Sequence, residues 1–120
     1  MSEIFIHLFH ILIVGSLFLY VGIKKSNLPS FMYPFLIILG IIIILYHGFK
    51  VYKRLKLGKN PWVNYIHIFL VGPLLVYIGL NREMTKRLYF ELLLMLGFAS
   101  IGYHGYYLFN YTDRKENPSR

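Results

Sequence analysis

Four stretches of this chain contain no Asp, Glu, Lys or Arg: Ile4–Ile23, Ser26–Phe49, Asn60–Asn81 and Leu92–Thr112, of 20, 24, 22 and 21 residues. A helix rises ~1.5 Å per residue, so about 20 apolar residues cross the hydrocarbon core of a bilayer. Four such runs within 120 residues predict four membrane-spanning helices joined by short loops. Composition agrees: 57% of residues are hydrophobic and 15% are charged, against roughly 45–50% and 25% in soluble domains. The pattern excludes a secreted disulfide scaffold, a soluble catalytic domain and a nucleic-acid-binding module. Cysteine is absent, which removes thiolate ligands and thiol nucleophiles.

The four runs are not independent. Shifted by 57 residues, the sequence matches itself without a gap, with 14 identities in the 39 positions from His10 to Gly48. His10, Gly15, Tyr20 and Gly22 meet His67, Gly72, Tyr77 and Gly79; Gly40, Tyr46, His47 and Gly48 meet Gly97, Tyr103, His104 and Gly105. Apolar composition produces chance matches among Leu, Ile and Val, but not scarce histidines and glycines in register. The expected fold is therefore an all-α integral membrane protein built from two tandem helical hairpins. The first covers residues 1–57, with spans at about 4–23 and 31–52; the second covers 58–120, with spans at about 61–80 and 87–110 and a short basic tail. Two spans per unit return the second unit in the same orientation, so the repeat is parallel and the expected assembly is a four-helix bundle.

Helix starts are legible. Ser2, Ser30 and Thr85 are candidate N-caps, and Asn60-Pro61 reads as a cap followed by proline in the first turn. Pro73 predicts a kink in the third span that the first span, with Ser16 at the matching position, does not share. Glycines recur at intervals of seven or eight residues in every span, a spacing that lets transmembrane backbones approach closely.

The formal net charge is +8, and the basic residues cluster at the ends of the apolar runs. Anionic lipid head groups are the partner this favours; nucleic acid is not. Lys50, Lys53, Arg54, Lys56, Lys59, Arg114, Lys115 and Arg120 lie on the side of the two termini, and Lys24, Lys25, Arg82, Lys86 and Arg87 on the other. The positive-inside rule then places both termini on the cytoplasmic face. The first span lacks the basic n-region and small-residue cleavage site of a signal peptide, and it forms half of a repeat unit, so it is expected to be retained.

Within so apolar a chain, His10, His47, His67 and His104 are the main candidates for function. Helix direction alternates, so all four are expected on one side of the membrane, and ionisable groups inside a membrane mark function by default. The same residues form the candidate metal set. Histidine-only coordination suits zinc, copper or haem iron, and carboxylates for calcium or magnesium are lacking. A bare divalent ion retains its charge in a low-dielectric region, whereas a haem macrocycle cancels it, so b-type haem is the favoured cofactor, ahead of Zn or Cu or none at all. His47 and His104 are the preferred ligands, Gly40 and Gly97 leave room for a macrocycle two turns away, and Tyr46 and Tyr103 line the same layer.

Two other readings need no cofactor. One is a small proton or ion channel gated by the histidine layer, since imidazole titrates near neutrality. The other is a structural membrane or envelope assembly protein. An enzyme is not expected. A homo-oligomer is compatible with all of these readings. The runs Val71–Gly79 and Gly102–Tyr107 resemble uncharacterised small multi-span membrane proteins of large DNA viruses of algae and protists. That resemblance covers most of the chain and implies no known activity.

Overall fold

A computed structural model describes residues 3–110 of the chain. Ser2, the candidate first cap, and the basic tail from residue 111 onward lie outside the described residues. Four helices are long and apolar enough to cross a membrane: Ile4–Asn27, Met32–Lys56, Trp62–Met84 and Arg87–Phe109, of 24, 25, 23 and 23 residues. They carry large apolar side chains outward, among them Leu45, Phe69, Met95 and Phe98, all more than 60% exposed. Water does not tolerate so much apolar surface on a soluble monomer, but lipid does.

The second and fourth spans are uninterrupted α-helices. The first and third are not. Each contains a π-helical stretch, His10–Gly15 in the first and His67–Val71 in the third. Each stretch starts at a histidine. The irregularity is thus common to both spans, contrary to the expectation that Pro73 alone would distort the third. Proline removes one intrahelical donor, but the first span widens in the same place with Ser16 there instead.

Each of these two spans ends in a single 3-10 turn, Lys25–Asn27 and Arg82–Met84. Lys25 and Arg82 enter these turns with φ of 52° and 54°, the only non-glycine positive values among the described residues. A left-handed residue with a Cβ costs about 1–2 kcal/mol. At Arg82 the guanidinium lies 5.0 Å over the Tyr33 ring, a cation–π contact that offsets part of this.

The candidate caps fall differently. Phe31 occupies the cap position of the second span and makes no side-chain cap bond, while the Ser30 carbonyl accepts from Tyr33 N–H at 3.4 Å. Pro61 sits at the cap position itself, with φ −94° and ψ 38°, so the third span begins one residue later, at Trp62. The Thr85 hydroxyl donates to the Ile78 carbonyl at 3.4 Å, tying the approach to the fourth span to the end of the third. The second span has a well-formed end instead. Lys59 N–H donates to Arg54 O at 2.9 Å and Gly58 N–H to Leu55 O at 3.1 Å, with Gly58 at φ 71°. This is the Schellman arrangement, which wants glycine at that position. Gly58→Ala is expected to lower stability by about 1 kcal/mol, measured by thermal unfolding in detergent.

The chain divides into two compact units. One comprises Met1–Ile23 with Glu91–Arg120, and the other Lys24–Phe90. The division cuts across the sequence hairpins: the first unit joins the first span to most of the fourth, and the second joins the second span to the third.

In the second unit, a Cβ on Gly40 would lie 2.7 Å from the Gly72 carbonyl and 3.2 Å from Leu75, and one on Gly79 would lie 2.6 Å from the Tyr33 carbonyl and against Ile37. In the first unit, a Cβ on Gly22 would lie 2.6 Å from Leu94, and one on Gly97 would lie 3.1 Å from Phe18 and 3.2 Å from Leu19. Gly15 faces Ile101 and Gly72 faces Ile44. Each contact in one unit maps onto a contact in the other by the shift of 57. Gly48 and Gly105, grouped with these by spacing, meet nothing within 4 Å. Spacing alone does not separate a packed glycine from an outward one.

Candidate functional site

Each unit holds one histidine cluster, built where a π-helical stretch begins. In the second unit the His47 and His67 rings stack with centroids 4.0 Å apart and planes 15° from parallel. His67 Nδ1–H donates to the Val63 carbonyl at 2.8 Å, one turn back on its own helix. His47 Nδ1–H donates to the Asn64 side-chain oxygen at 2.7 Å. Carbonyl and amide oxygens only accept. Neutral His67 and His47 are therefore held as the Nδ1–H tautomer, with the lone pair on Nε2.

The first unit repeats this construction with one change. The His10 and His104 rings stack at 4.2 Å and 20°. His10 Nδ1–H donates to the Ile6 carbonyl at 2.7 Å. The partner of His104 Nδ1, however, is His7 Nδ1 at 2.9 Å. His7 stands where Asn64 stands in the other copy. Two imidazole nitrogens hydrogen-bond only when one carries a proton and the other a lone pair, so this contact holds a single proton that either ring can own. His7, His104 and Asn64 are all buried, at 8%, 8% and 5% exposure. Tyr107 lies parallel to His7 with centroids 6.1 Å apart, and Tyr103 meets His104 edge-on at 5.0 Å.

All four candidate histidines are thus placed in contacts with other histidines, but as two pairs. His10 joins His104 and His67 joins His47, while the preferred ligand pair, His47 and His104, falls in separate units. Tyr46 and Tyr103 each stand edge-on to the histidine that follows them, at 5.2 and 5.0 Å. The space beside Gly40 and Gly97, expected to admit a macrocycle, is taken up by the neighbouring helix. Among the described residues no group of three or more His, Asp or Glu is arranged to hold a metal ion.

Asn64 and His7 are partners that the repeat alone did not single out. The available signal was a polar residue three positions before the matched histidine in both copies, on the same helix face. The π-helical stretches left no mark in the sequence beyond the histidines that open them. Such stretches concentrate at functional sites. No family model matches the chain, and neither curated proteins nor solved structures yield a match.

Proposed function

We propose that this is a multi-pass membrane protein, formed from two like-oriented hairpin repeats packed as a four-helix bundle, whose histidine clusters gate the passage of protons or small ions. The observation that carries this reading is the face-to-face histidine pair at the contact of two helices, built twice. Neutral rings stack without penalty. When both rings of a pair are protonated, two unit charges face each other at about 4 Å, a repulsion of roughly 4 kcal/mol at an effective dielectric constant of 20. That exceeds the roughly 0.6–1.7 kcal/mol typical of a hydrogen bond between membrane helices. Protonation therefore favours separation of the paired helices, and deprotonation restores their contact.

The repeat reading is supported by the glycine contacts and histidine pairs that correspond across the two units. Orientation with both termini on the cytoplasmic face rests on the basic loop. Along the end of the second span, Lys50, Lys53 and Lys56 lie 5.7, 5.4 and 5.2 Å over the rings of Tyr46, Phe49 and Tyr52. Lysine stems resting on interfacial aromatics suit a face rich in anionic head groups.

The test is flux across proteoliposomes under an imposed pH gradient, read over a range of external pH. Wild-type protein is expected to conduct more as the histidines protonate, and His47→Gln with His104→Gln to abolish that pH response. Wild-type flux equal to that of protein-free liposomes at every pH overturns the reading.

Ligand binding is a second reading, favoured by one observation. His10 and His67 each donate Nδ1–H to a backbone carbonyl, the second-shell pattern that orients imidazole for coordination through Nε2. The stacked rings leave no room for a macrocycle between them, so haem gains less from the geometry than proton gating does. Purified protein expressed with haem supply is expected to show no Soret band; a stoichiometric one would reverse this preference.

A further inference from the structure

The two histidine clusters differ at one residue, and the difference decides what each can do with a proton. We infer that the first unit relays protons through the His7–His104 pair, whereas the second only stores one on His47. The inference rests on the proton-handling reading and assigns roles within it.

The argument starts from the acceptor. His47 Nδ1–H donates to the Asn64 amide oxygen, which accepts a hydrogen bond but takes up a proton only at strongly acidic pH. A proton arriving at His47 Nε2 makes an imidazolium whose Nδ1 proton has nowhere to go. It must leave by the atom at which it entered. In the first unit the acceptor is His7 Nδ1, 2.9 Å away, and an imidazole nitrogen is a base.

Begin with His104 carrying its proton on Nδ1 and His7 carrying its proton on Nε2. A proton binds the lone pair of His104 Nε2. The bridging proton then moves from His104 Nδ1 to the lone pair of His7 Nδ1. His7, now protonated on both nitrogens, releases the proton from Nε2, an atom buried in the closed arrangement, to water once the paired helices part. One proton has entered on the fourth span and one has left on the first, and both rings have exchanged tautomers. No ring needs to rotate during the transfer, although rotation or the reverse transfer must reset the pair. The titratable groups facing the pair are His10, stacked on His104, together with Tyr103 and Tyr107. A second added proton places hydrogens on both Nδ1 atoms and breaks the bridge, so the relay operates with one extra proton and fails with two.

The test is ¹⁵N spectroscopy of the histidines in the full-length protein in lipid nanodiscs, with site assignment. His47, His10 and His67 are expected as fixed Nδ1–H tautomers. His104 and His7 are expected to show averaged resonances, with a through-hydrogen-bond coupling between their Nδ1 atoms that disappears at low pH. His7→Asn copies the second cluster and is expected to convert His104 to the fixed pattern of His47, whose own unchanged signals report that the variant is folded. Asn64→His is expected to transfer the averaged pattern to His47.

A single fixed tautomer for His104 in wild-type protein overturns the inference, as does a His104 signal unaffected by His7→Asn in a folded variant. Flux is a separate readout. Tautomer exchange without proteoliposome flux refutes the gating function but sustains the relay pair, and flux with His104 fixed does the reverse.

Discussion

Gly79→Leu is expected to prevent the second unit from assembling, and Gly79→Ala to cost about 1–3 kcal/mol. A Cβ at Gly79 would stand 2.6 Å from the Tyr33 carbonyl and 3.1 Å from the Ile37 nitrogen, besides touching the Ile37 side chain. Two of these neighbours are backbone atoms of a helix whose Tyr33 and Leu36 are 1% and 0% exposed. They do not yield by a rotamer change, so the helices must move apart. Inside a bilayer such a separation is expensive, because helix association depends on close packing and not on escape from water.

The same chain supplies the control. Gly48 and Gly102 lie within helices and have nothing within 4 Å. Alanine there removes the flexibility penalty of helical glycine, worth up to ~1 kcal/mol, and meets no neighbour. Gly48→Ala is expected to be neutral or slightly stabilising. Unfolding of each variant in detergent, followed by circular dichroism, gives the comparison. Equal stability of Gly79→Ala and Gly48→Ala would overturn the packing assignment. Gly22, its counterpart in the first unit, is expected to behave like Gly79, since a Cβ there would lie 2.6 Å from Leu94 Cβ and 2.9 Å from its Cα.

The sequence carried some of these features openly and hid others for physical reasons. The spans are plain because hydropathy is a local property: each run without charge is long and apolar enough to cross a bilayer as a helix. The positions of His10, His47, His67 and His104 were equally plain, because duplication doubled a rare residue in register. Which helix each histidine meets was not readable. Matched positions in the repeat favour His47 with His104 as a pair, yet His10 packs on His104 and His67 on His47, each from the other repeat copy. Helix partnership is fixed by the fit of surfaces such as Gly40 against Gly72 and Gly97 against Phe18, and that fit has no periodic signature. Glycine spacing gave Gly40 and Gly48 the same weight, although only the first is in contact. Ser30 reads as a cap from its position before an apolar run, but Phe31 holds that place. Thr85 donates to a carbonyl of the preceding span seven residues back, across the left-handed turn at Arg82. That turn carries no glycine to announce it.

Asn64→Leu separates the polar role of this residue from its branched shape. Asn64 is 5% exposed and accepts the His47 Nδ1–H bond at 2.7 Å. Leucine keeps the branched side-chain skeleton, with bulkier methyl ends and no acceptor, so the part-buried His47 loses this partner. An orphaned buried polar group costs about 1–3 kcal/mol, more than the roughly 0.6 kcal/mol average coupling of a hydrogen bond between membrane helices. The expected loss for Asn64→Leu therefore exceeds the coupling itself, and removing the stranded donor should recover part of it. In the double variant with His47→Phe, the combined loss is expected to be smaller than the sum of the two single losses, since neither partner is then left unmatched. Asn64→His restores a nitrogen acceptor and reproduces the arrangement of His7 with His104, so it is expected to keep most of the stability. A four-point cycle of unfolding midpoints, with Asn64→His as the fifth variant, checks these relations. Strictly additive losses, or Asn64→His no more stable than Asn64→Leu, would mean that Asn64 is retained for its shape and that His47 owes it no bond.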